Sequence, residues 1–218
     1  MKNPLNLFEG YKVIDLSMPI YPGVLKTDNT YFWGQHQRQF ELRQFLTRTD
    51  KMYMHFVNAE VHLGTHVEGP GHLADGTAAP ADLPLETFYG EAIILKVKNK
   101  ALGAEDFEKV KEGDIVLLYC PDGWDAWVTP EGGKCLLDKK IKMLGVQNVA
   151  PDDPRAYEVD TTVPAVTHQY LLGAGIPIIE VLVNLEKTTK ERVFFIGLPL
   201  NIHDIDSSWI RAIVLEEE

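Results

Sequence analysis

One stretch of twelve residues, VHLGTHVEGPGH at positions 61–72, constrains this chain more than any other. It holds three of the seven histidines of the 218-residue sequence, together with a glutamate, three glycines and a proline. Glycine and proline at this density are incompatible with a regular helix. The stretch therefore predicts a tight turn that carries several side chains able to bind a metal ion.

His62 and His66 lie four residues apart in this stretch. On a straight strand four residues span about 13 Å, which is nearly too far for both imidazoles to reach one ion at about 2.1 Å. A strand that bends at Gly64 removes the difficulty, because glycine tolerates backbone conformations that other residues avoid. With such a bend His62, His66 and Glu68 converge as nitrogen and oxygen donors, which suit Zn(II), Mn(II) or Fe(II).

His72 follows the turn, six residues beyond His66. There it can act as an acid/base group beside a metal ion without being a ligand. A single histidine is usually an ordinary surface or core residue, but three histidines and a carboxylate within eleven residues are difficult to explain in that way. We therefore predict a catalytic metal site with three protein ligands here and open coordination positions.

The rest of the sequence combines apolar, strand-like runs with a few helical segments. Helices are predicted over 103–113 and over 165–175, the second closed by Gly173 or Gly175. Strands exceed helices, and no linker, repeat or low-complexity segment interrupts them, so we predict an α/β fold in a single domain spanning residues 1–218. The predicted strands are 13–16, 54–62, 91–98, 114–120, 142–150, 176–185, 192–202 and 209–218.

Charge and cysteine content narrow the class of protein. The net charge of −11 argues against a nucleic-acid-binding protein, because phosphate contacts need clustered Lys and Arg. Two cysteines are too few for a disulfide framework or a thiolate zinc site. No apolar run approaches the roughly 18 residues of a membrane span, and the first residues lack a signal-peptide pattern. We expect a cytoplasmic protein whose partners are a small molecule and other copies of itself, and neither nucleic acid nor a membrane.

The stretch 61–72 resembles the signature H-x-G-T-H-x-D-x-P-x-H of the cyclase family of metal-dependent hydrolases, which includes bacterial kynurenine formamidases and isatin hydrolases. A second family signature, a histidine twelve residues before a glutamate, is similar to HQYLLGAGIPIIE at 168–180. The runs DLSMPIYPG, LVNLE, FIGLPL and IRAIVL extend the likeness over nearly all of the chain. Glu68 departs from the family, which has an aspartate there, and so does Gln147, where an aspartate is commoner. The matching signature positions are His62, Gly64, Thr65, His66, Pro70 and His72.

The resemblance implies a swivelling β/β/α fold with a mixed sheet and an excess of strands, usually assembled as a homodimer or homotetramer. It also implies His72 as the proton donor and acceptor, and Tyr21 as a substrate-binding residue where kynurenine formamidases have a tryptophan. A glutamate in the apolar run 176–185 fits a metal site, because an unpaired carboxylate is costly to bury. The resemblance further implies that one or two divalent ions, Zn or Mn, are bound by His62, His66, Glu68, His168 and Glu180.

The expected reaction is hydrolysis of a C–N bond in a small amide, an N-formyl amide or a lactam by metal-activated water, with His72 protonating the leaving nitrogen. Trp33, Phe40 and Trp124 are further candidates for a wall against an aromatic or cyclic substrate. Two alternatives stay open at this point. One is a metal-dependent dehydratase or ring-closing enzyme acting on a small hydroxy compound. The other is a non-catalytic, metal-stabilised binding protein, which would not need a spare acid/base group.

Overall fold

The computed structural model describes residues 8–21, 23–24, 39–46, 52–73, 77–98, 100–123, 125–158 and 161–218. Within these residues the chain forms two α-helices, α1 (Pro130–Asp138) and α2 (Val166–Gly173), and fourteen strands. The strands are β1 (Tyr11–Asp15), β2 (Gly23–Val24), β3 (Gln39–Leu46), β4 (Tyr53–Ala59), β5 (His66–Glu68), β6 (Tyr89–Lys96), β7 (Ala101–Leu102), β8 (Ile115–Tyr119), β9 (Trp127–Val128), β10 (Met143–Gln147), β11 (Ile178–Glu180), β12 (Arg192–Ile196), β13 (Ser207–Trp209) and β14 (Ile213–Glu217).

Nine of these strands form one mixed sheet in the order β1-β14-β12-β6-β8-β10-β11-β5-β13. The four central strands β6, β8, β10 and β11 run parallel, and the strands on either side of them pair antiparallel. Parallel strands covered on both faces are almost continuously apolar, as the sequence IVLLY of β8 illustrates. The predicted strand-rich α/β fold with a mixed sheet is thereby confirmed.

Two hydrophobic clusters cover the two faces of the sheet. Val116 and Leu118 of β8 pack in one cluster with Leu136 of α1 and Leu171 of α2. The alternate residues of β8, such as Leu117, point into the other cluster, as expected from the period-two geometry of a strand. Both helices therefore lie on one side of the sheet.

The sheet curls, because the segment that follows β1 bonds to the segment that follows β11. Ser17 pairs with Leu182, and the N–H of Val183 donates to the carbonyl of Leu16 at 3.0 Å. Further along the same segment, the N–H of Met18 donates to Oγ1 of Thr65 at 2.8 Å. The curl therefore holds the N-terminal segment against the turn of the 61–72 stretch.

The helix predicted over 103–113 is wrong. The segment contains one 3-10 turn, Ala104–Phe107. A carboxylate takes a backbone N–H group that a longer helix would need, because Asp114 accepts from the N–H of Lys111 at 2.8 Å. Asp106 caps only the start of the turn, where it accepts from the N–H of Gly103 at 3.0 Å.

Other local features also differ from the prediction, and the strands predicted over 54–62 and 192–202 end at Ala59 and Ile196. The strand predicted over 176–185 ends at Glu180, because Val181 has a φ of 60°. Helix α1 was not predicted, although Thr129 accepts a bond from Gly132 as its N-cap and Pro130 occupies its first turn. The predicted helix over 165–175 is confirmed as α2.

Candidate metal and catalytic site

A turn joins β4 to β5 and forms the first half of the 61–72 stretch. Gly64 in this turn has a φ of 71°, and a Cβ atom there would lie 3.0 Å from the side chain of Ile20. Glycine is therefore needed for both the conformation and the space. The turn brings Nδ1 of His62 to 3.1 Å from Nε2 of His66. The bend that the sequence predicted at Gly64 is confirmed.

The six residues that were predicted as metal ligands or acid/base converge on one place at the end of the sheet. β5 lies between β11 and β13, so that Glu180 stands directly opposite His66. His168 comes from α2, and His72 closes a 3-10 turn, Pro70–His72, directly after β5.

Glu68 lies at the centre of this group and is 2% exposed. Its Oε1 lies 3.0 Å from Nδ1 of His62 and 3.5 Å from Nε2 of His66. Its Oε2 lies 3.0 Å from Nε2 of His168. Three imidazoles therefore turn one nitrogen each towards the same carboxylate.

The outward nitrogen of each of these imidazoles is held by an oxygen atom. Nδ1 of His66 bonds to the carbonyl of Gly64 at 2.8 Å. Nδ1 of His168 bonds to Oδ2 of Asp152 at 2.5 Å. Nε2 of His62 lies 2.5 Å from Oδ2 of Asp206. An outer acceptor of this kind fixes the tautomer and leaves the inward nitrogen free to bind a metal ion.

The two carboxylates of the cluster, Glu68 and Glu180, need compensating positive charge. Burial raises the pKa of Glu180, and the neighbouring Glu68 carboxylate raises it further. Burial also acts to raise the pKa of Glu68, but hydrogen bonds from His168 and His62 hold it well below its ordinary value.

Burial and the neighbouring carboxylates have opposite effects on the pKa values of the histidines. Burial acts to lower the pKa of His62, but Glu68 and Asp206 outweigh it and raise this pKa to about 9. The pKa of His168 is likewise raised well above its ordinary value, because Asp152 and Glu68 outweigh burial. A divalent ion in the cluster would supply the same positive charge with the histidines neutral, so the donor set fits a divalent cation.

The donor atoms of the cluster fall into two overlapping groups, in each of which they lie within 4.8 Å of one another. Glu68 belongs to both groups. The first consists of His62, Glu68 and His72, and the second of His66, Glu68 and Glu180. His168 faces both carboxylates, with Nε2 3.8 Å from Oε1 of Glu180.

His72 differs from the other histidines of the cluster in its larger exposure and in its longer distance from the Glu68 carboxylate. Its side chain is 36% exposed, and its Nε2 lies 3.7 Å from Oε1 of Glu68. Its Nδ1 lies 3.1 Å from Oδ2 of Asp206. It stands at the open side of the cluster, where an acid/base group can reach a bound small molecule.

The backbone next to Glu180 is strained. Val181 is a β-branched residue with a φ of 60°, a conformation that such residues rarely adopt. The Oγ1 hydroxyl of Thr65 donates to the carbonyl of Val181 at 2.6 Å and holds this conformation in place. The strain ends β11 at the point where the Glu180 side chain enters the cluster.

The aromatic candidates are exposed, packed against another ring or outside the described residues. Tyr21 is 67% exposed at the end of the segment that crosses Gly64. Phe40 packs against Trp209, with 6.2 Å between the ring centroids. Trp33 and Trp124 lie outside the described residues.

The sequence did not point to Asp152, Asp206 or Ser207, which hold the histidines from outside. Ser207 Oγ lies 3.0 Å from Nε2 of His62. Their only signal in the sequence is the presence of short acidic runs, PDDP and HDIDSS, next to predicted elements. Gln147, a departure noted in the sequence, bonds instead to Glu186 and to the backbone N–H of Leu185.

Comparison with known proteins gives the family. Residues 14–153 match the family model described as "Putative cyclase". The match extends over more than half of the chain. The chain belongs to this cyclase family.

Named relatives of this family member cover most of its length. The kynurenine formamidase of Bacillus cereus is 27% identical over 213 residues, which are 92% of this chain and 96% of the relative. The kynurenine formamidase of Salinibacter ruber is 31% identical over 164 residues, 70% of this chain and 75% of the relative. The structure of isatin hydrolase A from Labrenzia aggregata, bound to benzyl benzoate, is 19% identical and superimposes with a TM-score of 0.75 over 98% of this chain and 97% of that one. The family and the fold expected from the resemblance are confirmed.

Neither helix in the described part of the cyclase-family chain is long and apolar enough to cross a membrane.

Proposed function

We propose that this protein is a metal-dependent hydrolase that cleaves the C–N bond of a small amide, an N-formyl amide or a lactam. The kynurenine formamidase relatives favour hydrolysis of a non-peptide C–N bond over dehydration or simple binding. The observation that carries the proposal is the set of imidazole nitrogens turned towards Glu68 and Glu180, each imidazole held from outside by an oxygen acceptor.

The proposed ion is zinc or manganese, since imidazole and carboxylate ligands suit both. Glu68 belongs to both donor groups, so it would help to hold an ion in either of them, and one or two ions are proposed. The chemistry supplied by such an ion is activation of water near neutral pH and polarisation of the carbonyl under attack. The proposed ligands are His62, His66, Glu68, His168 and Glu180.

His72 is the proposed acid/base group. During hydrolysis a C–O bond forms to the attacking water and the C–N bond breaks. His72 takes a proton from the water at Nε2 and passes it to the departing nitrogen, which would otherwise leave as a poor, anionic leaving group. Its position at the exposed side of the cluster, with Nε2 facing Glu68, supports this role.

We also propose a substrate contact, an assembly and a cellular location. Tyr21 follows the segment that lies on Gly64, and its large exposure leaves its ring available to a small-molecule substrate. A homodimer or homotetramer is supported by exposed apolar side chains on the β3–β4 hairpin, such as Phe45 and Phe56, both 47% exposed. We place the enzyme in the cytoplasm.

Removal and replacement of the metal tests the function. The protein is purified without chelator, its metal content is measured, and hydrolysis is followed with an N-formyl aryl amide, a lactam and a cyclic imide. We expect hydrolysis of at least one of them, with a product one water heavier than the substrate, loss of activity on chelation, and recovery with Zn(II) or Mn(II). Full activity in metal-free protein, or a product one water lighter, would overturn the proposal.

A further inference from the structure

One carboxylate oxygen connects a proposed metal ligand with the proposed acid/base group. Oδ2 of Asp206 lies 2.5 Å from Nε2 of His62 and 3.1 Å from Nδ1 of His72. The Oγ hydroxyl of Ser207 donates to the same oxygen at 3.1 Å. The rings of His62 and His72 lie side by side, with centroids 4.8 Å apart.

The backbone fixes Asp206 at this point independently of its side chain. The N–H of Gly69 donates to the carbonyl of Asp206 at 3.0 Å. At Gly71, a Cβ atom would lie 3.4 Å from Cα of Asp206, so the loop before β13 passes close to the turn that carries His72. A substitution of the Asp206 side chain therefore leaves the backbone contacts in place.

The geometry determines which nitrogen of His72 faces the cluster. A carboxylate accepts hydrogen bonds and does not donate them, so Nδ1 of His72 must carry the hydrogen in this contact. In the neutral imidazole the other nitrogen, Nε2, is then the acceptor, and it is the atom directed towards Glu68 at 3.7 Å. Since His72 is 36% exposed on a short turn, its ring needs such a contact to keep one orientation.

We propose that Asp206 is a positioning residue for the reaction, which holds His72 in the Nδ1–H tautomer with Nε2 directed into the site. This inference rests on the proposed function, because it assigns the geometry of the proposed acid/base group. The proton taken from water at Nε2 and returned to the leaving nitrogen requires that Nε2 starts without a hydrogen. The same carboxylate orients His62, so an effect through the metal must be separated from an effect through His72.

The kinetic test uses Asp206→Asn and a matched control, Asp204→Asn, which removes one charge from an exposed part of the same loop. Both are assayed at saturating zinc, with metal content measured. The side-chain amide introduced by Asp206→Asn can donate to Nδ1 and therefore favours the wrong tautomer. In other enzymes, the same substitution of an aspartate that orients a catalytic histidine lowers kcat by as much as about 10⁴-fold. We expect kcat of Asp206→Asn to fall by about 10²-fold or more, with KM within about threefold, full metal content, and an unchanged Asp204→Asn control.

A double variant separates the two routes. If Asp206 acts through His72, adding Asp206→Asn to His72→Ala should cost less than about a further threefold, because the two substitutions remove the same step. A further loss of about 10²-fold in that background, or a metal content of Asp206→Asn that falls in step with its activity, would show that Asp206 acts only through the metal ligand His62 and would overturn the inference. A kcat within about threefold of the wild type would overturn it as well.

The tautomer itself can be read without substrate. Nitrogen-15 NMR of the imidazoles in zinc-loaded protein, recorded where the shifts of the ring show that it is neutral, distinguishes Nδ1–H from Nε2–H. We expect His72 as the Nδ1–H form in the wild type and a shift away from it in Asp206→Asn. An Nε2–H form in the wild type would overturn the inference even where no amide is hydrolysed, and the absence of hydrolysis alone would overturn only the proposed function.

Discussion

Two buried carboxylates of this protein are neutralised in different ways. Asp114, directly before β8, is 4% exposed and receives two hydrogen bonds from the guanidinium of Arg192, at 2.9 and 3.1 Å. Glu68 is 2% exposed, and its partners among the described residues are all histidines.

The difference separates a structural ion pair from a functional site. Arg192 is a permanent cation, so the Asp114 pair is complete without any ligand. Imidazole becomes a cation only by binding a proton, and the same nitrogen can bind a metal ion instead. With Glu180 added to the Glu68 cluster, two carboxylates share histidines that can exchange protons for a divalent ion.

The largest effect is expected for His72→Ala. Because His72 is assigned to proton transfer and not to metal binding, its loss should lower kcat by about 10² to 10⁴-fold with unchanged metal content. Steady-state kinetics and elemental analysis of the purified variant measure both quantities. Loss of metal together with activity would move His72 into the ligand set.

A smaller effect is expected for Glu68→Asp, which restores the residue common in the family. The two oxygens of Glu68 reach His62 and His168 at 3.0 Å each, so we expect the site to show an adjustment to the longer side chain. An aspartate is shorter by about 1.5 Å and should bind zinc roughly tenfold less tightly. Competition titration with a chromophoric chelator measures this affinity, and equal or tighter binding by the aspartate variant would contradict the adjustment.

The smallest effect on the site is expected for Asp114→Asn, which serves as the control for the comparison. Loss of the charge leaves Arg192 without its partner and should lower the free energy of unfolding by about 1–3 kcal/mol. Metal content and kcat should stay at the wild-type level. Denaturant unfolding and the same activity assay check these outcomes, and a loss of metal would mean that the two carboxylates are not independent.

The Asp114 pair also gives a pH dependence with a definite sign. Burial acts to raise the pKa of Asp114, but Arg192 and the N–H of Lys111 outweigh it and hold this pKa below its ordinary value of 3.8. Its contribution to stability is therefore complete above that value and is lost as the pH falls through the lower pKa of the folded state. The stability difference between wild type and Asp114→Asn should accordingly shrink only below about pH 4.

The residues themselves predicted the site only where its members lie close together in the sequence. Four of its members, His62, His66, Glu68 and His72, lie within eleven residues, and the glycines between them favour a bent backbone. His168 was predicted only through the resemblance to the cyclase family, and Glu180 through that resemblance together with its place in an apolar run. Their approach to the turn depends on β11 pairing with β5, two strands far apart in the sequence.

The outer acceptors could not be predicted for the same physical reason. Asp206 meets His62 across 144 positions, and only the pairing of β13 with β5 brings them together. The wrong helix over 103–113 has a different cause. Asp106 does cap a first turn at Gly103, but the side chain of Asp114 takes the backbone N–H of Lys111 and so competes with continuation of the helix.

The most direct test of the account is zinc binding by Glu68→Gln beside the wild type and Asp114→Asn. Glutamine keeps the length of Glu68 and removes its charge and its strongest oxygen donor. The account predicts that Glu68→Gln binds zinc at least about 10²-fold more weakly than the wild type, whereas Asp114→Asn binds it equally well. Equal affinity and stoichiometry in all three proteins would contradict the claim that the Glu68 cluster is a metal site.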